Sequence, residues 1–295
     1  MDFTDVMSEL ERLGTEQNRK VYRRHGATDP LFGVSFAHMN ALEKRIKRDH
    51  KLAEALWATG NSDARTLAAA IADPGRFTRE RLEAWLADAR SPLLVDLFVK
   101  HIAAKTPFAR AAMEQWTASD DEWVGRAGWS LLGALAAEDP SLPDSVFEER
   151  LAVIEASIHR AKNRAREAMN GALISIGGRN EPLRGKALTV ARRIGKVEID
   201  HGETSCKTPD ATAYIQKMWA RRPAAPVATK PAVKTAAGQG KAAAAKAAKA
   251  PAAAKAAARP AMAPGATKAA ARPAKAPAAA KRASGTAART GARRG

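Results

Sequence analysis

The sequence holds one cysteine, Cys206, in 295 residues. That excludes an intrachain disulfide framework and a cysteine-rich zinc site, and it suits a reducing compartment. Aromatic residues make up only 5 % of the chain. No window approaches the roughly 18 consecutive apolar residues of a membrane-spanning helix. The opening residues 1–14 are charged and amphipathic, without the apolar stretch of a secretory signal. These absences lead us to expect a cytoplasmic protein with no membrane partner.

Acidic residues are missing from one region altogether. Residues 223–295 carry 15 of the 49 Lys+Arg, with no Asp, no Glu and no aromatic residue. Residues 1–222 keep 34 basic against 31 acidic residues, so the net +18 divides into +15 and +3. The pattern predicts two parts, a near-neutral body (1–222) and a cationic tail (223–295). The tail consists of alanine runs broken by Lys, Arg and Pro, as in Ala258-Arg259-Pro260. Without large apolar groups it cannot offset its ordering entropy, and disorder is expected. It resembles the Ala/Lys/Pro tails of linker histones. Such a tail suits a polyanion, nucleic acid first, through counterion release, and it suggests association with a bacterial nucleoid. A purely solubilising arm is the alternative, though it gives no reason to exclude acids completely.

In the body, Gly and Pro punctuate stretches whose apolar residues recur every three or four positions, the helical period. Phe36, Met39, Leu42 and Ile46 mark one helix. Leu82, Trp85 and Leu86 mark another, begun at Thr78. Asn61 or Ser62 caps the helix bearing Leu67 and Ile71, which stops before Pro74. Later helices are expected near 108–117, 121–137, 143–159, 161–177, 181–195 and 209–219. No stretch alternates with period two, so no sheet is placed, and at most 197–199 is extended. About twelve helices with short breaks predict an all-α fold, a HEAT- or armadillo-like α-solenoid of about six helical pairs. A compact orthogonal bundle is the alternative.

Charge within the body is uneven. Residues 159–196 hold ten Lys+Arg (among them Arg164, Arg166 and Lys196) against Glu167 and Glu181. Residues 120–155 hold nine acids against Arg126 and Arg150. In a solenoid the basic segment would line part of a DNA-holding face, or it is an ordinary solvated helix face. Asn170, a polar amide in an apolar helix, needs a partner: backbone between repeats, or a ligand phosphate. The loop Asp200–Asp210 gathers His201, Cys206 and Lys207. Two such ligands are too few for a stable zinc site, so a packing loop or a phosphate-contacting loop is expected.

Three segments, taken together, resemble the AlkD-like DNA alkylation repair family, the HEAT-like-repeat alkylpurine DNA glycosylases. They are Pro30-Leu31-Phe32-Gly33-Val34, the stretch from Trp116 through Ser119 and Trp123 to Arg126-Ala127, and Ala168–Gly177 continuing into Lys196–Gly202. The resemblance spans roughly residues 20–219 and omits the tail. By motif position it implies Asp96 and Arg126 as catalytic residues. The family's two cleft tryptophans fall on Pro92 and near Gly171, with Trp85 and Trp129 as spatial substitutes. In the implied chemistry the leaving purine is already cationic. A free carboxylate at Asp96 would stabilise oxocarbenium character on the sugar and orient water, while Arg126 would grip a flanking phosphate. No metal or cofactor is implied. The partner would be double-stranded DNA, bound by a monomer through Arg126, Arg164, Arg166, Asn170, Lys196 and Lys207.

Simpler roles stand beside these. Asp96 has Lys100 four residues on, a common surface pair. Arg126 lies three residues from Trp123 and from Trp129 and would stack on an indole. The tryptophans at helical spacing suit a core. Two functions follow: an alkylpurine DNA N-glycosylase, or a nucleic-acid-binding module that keeps the scaffold without the chemistry.

Overall fold

The computed structural model describes residues 1–222, and the expected disorder of 223–295 lies outside the described residues. The described residues form thirteen α-helices: α1 (Phe3–Leu13), α2 (Glu16–Arg24), α3 (Phe36–Ile46), α4 (His50–Ala58), α5 (Ser62–Ile71), α6 (Arg79–Asp88), α7 (Pro92–His101), α8 (Ala109–Thr117), α9 (Glu122–Glu138), α10 (Asp144–Ser157), α11 (Asn163–Gly177), α12 (Glu181–Ile194) and α13 (Ala211–Ala220). Three short 3₁₀ turns, Pro74–Arg76, Ala103–Lys105 and Ile158–Arg160, join successive helices. Among the described residues there is no strand; one isolated bridge pairs Gly14 with Val34.

Most helices begin where a short polar side chain stops the preceding turn. Ser35, Asp49, Asn61, Thr78, Ser91, Asp121, Asn180 and Asp210 each accept a backbone N–H of the turn they start, filling donors a helix leaves unpaired. Of the two caps the sequence offered for α5, Asn61 is used. The helix α2 was not foreseen, because none of its residues is buried and it has no apolar stripe. Thr15 caps it, and Asn18 and Tyr22 donate to the Gly33 and Val34 carbonyls.

The helices stack in a row. The contacts run α3 on α5, α5 on α7, α7 on α9, α9 on α11 and α11 on α13. A second set backs this row: α4 lies on α5, α8 on α9, and α10 and α12 on α11. This is the stacked array expected of helical repeats, not an orthogonal bundle. The α8–α9 crossing is close because of Gly128, where a Cβ would fall onto the backbone of Trp116 and Thr117.

Aromatic residues fill the core along the row. Trp57 and Trp85 stack with ring centroids 4.0 Å apart and planes 9° apart, and Phe77 meets Trp85 edge-on. Such pairs add about 0.5–1.5 kcal/mol beyond burial. Trp85, Trp116 and Trp129 are buried, so these indoles are core. The Pro30–Val34 turn is held from beneath. Buried Asp63 in the first turn of α5 accepts the N–H groups of Phe32, Gly33 and Val34 at 2.6, 2.9 and 2.9 Å. Gly33 has φ +84°, a conformation that suits glycine.

Candidate nucleic-acid interface

Asp96 and Arg126 meet across the row. Asp96 stands on α7, one helix before Arg126 on α9. Arg126 donates from Nε to Asp96 Oδ1 at 3.1 Å and from Nη2 to Oδ2 at 2.7 Å. Its Nη1 donates to Glu167 on α11 at 2.7 Å and, more weakly, to the Arg164 carbonyl at 3.4 Å. Glu167 also takes Arg164 at 3.3 Å and faces His201 Nδ1 at 3.9 Å. Ser130 donates to Asp96 Oδ1 at 3.2 Å. A charged ladder therefore crosses α7, α9, α11 and the loop beyond α12.

The electrostatics explain why the ladder holds. Only 7 % of the Arg126 side chain is exposed. Burial works against its charge, but Asp96 and Glu167 outweigh that and raise its pKa. Burial likewise opposes the Glu167 carboxylate, and Arg126 and Arg164 more than reverse this, leaving its pKa below the ordinary value. A planar guanidinium suits this double task, since its fork meets a carboxylate bidentately.

Four expectations change at this point. Asp96 is not a free carboxylate, because both its oxygens are engaged by Arg126. It does not pair with Lys100, and Arg126 is met by carboxylates rather than by an indole. Nor do Trp85 or Trp129 replace the missing aromatic walls, since both are packed inside. At the two positions where the family pattern has tryptophan, Pro92 opens α7 and lies against Gly26, while Gly171 borders open space.

The residues read as phosphate contacts divide. Arg166 donates to the Ala161 carbonyl at 2.7 Å and to the Glu198 carbonyl at 2.9 Å, so it clasps the segment after α12. Asn170 donates from Nδ2 to the Pro209 carbonyl at 3.0 Å, the backbone option. Its Oδ1 is buried without a partner. Asn163 bonds both the N–H and the carbonyl of Asp200, each at 2.8 Å. Arg166, Asn163 and Asn170 thus strap residues 198–209 across α11. His201 is fixed within the strap by Thr208 at 3.0 Å, whereas Cys206 is exposed. Among the described residues no group of three His, Cys, Asp or Glu is placed to hold a metal. Lys196 is exposed and pairs with Glu198. Lys207 is exposed with no ion pair among the described residues.

The acidic stretch 120–155 takes three of the ten cations of 159–196. Lys186 pairs with Glu148, Arg193 with Glu155 and Arg179 with Asp144, which joins α12 and its approach to α10. Arg179 also donates to the carbonyls of Ala136, Asp139 and Leu142. With Arg164 on Glu167, Arg184 on Glu181 and Lys196 on Glu198, six of the ten are ion-paired. Glu167, Ser130 and Asn163 carry no local signal as partners, because their contacts lie 34 to 41 residues away.

The stacked-helix array makes this a helical-repeat protein, and comparison gives the family. The chain belongs to the DNA alkylation repair enzyme family, whose model matches residues 6–215. It is 30 % identical over 220 residues to the uncharacterized protein Lin0241 of Listeria innocua, covering 73 % of this chain and 96 % of that one. Lmo0209 of Listeria monocytogenes is 29 % identical with the same coverage. A solved structure described as belonging to a new family related to the HEAT-like repeat DNA glycosylases, with affinity for branched DNA structures, superposes with a TM-score of 0.69. It is 34 % identical and covers 75 % of this chain and 95 % of that one.

Proposed function

We propose that this protein binds DNA, and branched DNA in preference to plain duplex, on a glycosylase-derived scaffold whose excision chemistry is reduced or lost. The closed Asp96–Arg126–Glu167 ladder carries this reading. A carboxylate held by a bidentate guanidinium and a hydroxyl is poorly placed to stabilise an oxocarbenium ion or to orient water. Pro92 and Gly171 supply no aromatic wall. Membership of a DNA repair family and a 34 % identical relative with branched-DNA affinity support the ligand class.

A four-way junction and a linear duplex of equal length, titrated at fixed salt, test it. Tighter binding to the junction is expected. Equal affinity for the two would sink the branched-DNA preference, and no binding to either would remove the reading.

Excision of N3- or N7-alkylated purines is a second reading, favoured by one observation: 47 % of the Asp96 side chain remains exposed. Single-turnover release of 7-methylguanine and 3-methyladenine from alkylated duplex decides between them. Release by the wild type that disappears in Asp96→Asn would restore the enzyme. We expect none.

A further inference from the structure

Along the first half of the row, one edge gathers cations that the ladder does not use. Three successive turns meet there. The junction of α3 and α4 touches the end of α5, where the Asp49 N–H donates to the Ile71 carbonyl at 3.0 Å. Arg48 on the same junction reaches the Ala72 carbonyl at 3.4 Å and Asp73 at 3.7 Å. The 3₁₀ turn after α5 then packs on the 3₁₀ turn after α7.

This edge carries Lys47, Arg48, Lys51, Arg76, Lys100 and Lys105, all exposed. Arg48 alone has an ion pair among the described residues, the long one to Asp73. Two of the nearby carboxylates are occupied, Asp49 by capping α4 and Asp73 by capping the turn at Gly75 and by Arg48. Beside them, burial first and then Lys100, Lys105 and Arg48 push the His101 imidazole down to about 4. It is neutral at neutral pH and adds no charge to the edge.

Helix stability does not account for these cations. Lys100 in the last turn of α7 does complement that helix's dipole. Lys51, however, lies in the first turn of α4, where a cation is unfavourable, and Lys47 occupies φ +64°. Lys105 and Arg76 sit in 3₁₀ turns too short for a sizeable dipole.

We infer that this edge, built from the turns after α3, α5 and α7, is a docking surface for the phosphate backbone of one DNA arm. Row helices pack about 8–10 Å apart, so three turns span roughly 20 Å. One strand presents a phosphate about every 3.4 Å along the axis, hence about six across that span. Lys100 lies one turn beyond Asp96 on α7, so a strand held at the edge continues onto the face that carries the ladder. A branched molecule would thus place one arm on the edge and another along the row. This rests on the DNA-binding reading above and adds a surface that the 159–196 segment does not supply.

The test uses the full chain. An edge variant, Lys47→Gln/Lys51→Gln/Lys100→Gln/Lys105→Gln, is compared with a control of equal charge loss, Lys20→Gln/Arg192→Gln/Lys217→Gln/Arg221→Gln. Circular dichroism verifies that both keep their helices. Junction affinity is then measured across a salt series. Each lost phosphate contact flattens the slope of log K against log[salt] by about 0.9, so the edge variant should lose about 3 to 4 and the control less than about 1. Junction affinity of the edge variant should fall at least about tenfold relative to the control. Equal flattening in the two variants overturns the edge while leaving DNA binding intact. Wild-type chain that binds no DNA overturns the proposed function itself. Tighter edge-dependent binding to an RNA duplex than to DNA of the same sequence overturns the choice of DNA.

Discussion

Arg126 grips both oxygens of Asp96 and, with its remaining arm, Glu167 on the next helix of the row. One buried guanidinium thereby ties α7, α9 and α11 at a single level. The two carboxylates converge on it from opposite sides, and neither has another full cation of its own except the Arg164 share of Glu167. In this molecule Arg126 is first a splice between repeats.

Removing the guanidinium should therefore cost stability before it costs binding. Arg126→Gln leaves two carboxylates facing each other around a buried gap. Breaking a buried pair costs about 3–5 kcal/mol, and the half-exposed Asp96 places this one at the lower end. A melting temperature lower by about 6–12 °C is expected. Arg126→Lys should fall between, because an ammonium cannot fork to two carboxylates. A denaturant midpoint unchanged in Arg126→Gln would contradict the splice.

Glu167 makes the same ladder sensitive to acid. Its folded pKa lies below the ordinary glutamate value, so its contribution is full above the unfolded pKa and fades as pH falls through the folded one. Wild type should exceed Glu167→Gln in stability at neutral pH. That margin should shrink as pH drops below the ordinary glutamate value of about 4.3. Urea melts across an acidic pH series read it directly; a margin constant down to about pH 2 would count against the coupling.

The strap over α11 makes a local prediction. Asn170 holds the Pro209 carbonyl, and Asn163 holds both polar groups of the Asp200 backbone. Asn170→Ala removes one hydrogen bond worth about 1 kcal/mol, which raises the open population of the strap about fivefold. Trypsin cleavage after exposed Lys207 should accelerate by about that factor while helical content stays constant. Cleavage at the wild-type rate would mean the strap is held by other contacts.

How far the sequence discloses this molecule depends on the range of each interaction. The helices are legible because burial has a period: Leu82, Trp85 and Leu86 recur at helical spacing and all are buried. The helix α2 is not legible, since its segment Glu16–Arg24 buries nothing and owes its place to the Thr15 cap and to Asn18 and Tyr22 reaching a turn 15 and 12 residues away. Asp96 and Arg126 are reachable through motif position, yet their mutual engagement is not. Charge runs mislead in the same manner. Residues 159–196 look like a basic face until α10 supplies Glu148 and Glu155 against Lys186 and Arg193. Conversely, Lys47, Arg76 and Lys105 lie 29 residues apart in sequence and become one edge only when three turns meet.

The tail can be separated from the body by its salt signature. Its 15 cations face no acid within their own segment, whereas the body carries 31 acids against its 34 cations. We expect that deleting 223–295 weakens duplex and junction binding alike and flattens the slope of log K against log[salt], by about 0.9 for each phosphate the tail had neutralised. The junction preference itself should survive, because discrimination between branched and linear DNA requires a surface of defined shape and an alanine-lysine arm offers only charge. Binding curves for both DNA forms, with and without the tail, at several salt concentrations, separate the two contributions. An unchanged slope would remove the tail as a DNA arm. A junction preference lost with the tail would move the recognition of branched DNA out of the helical body.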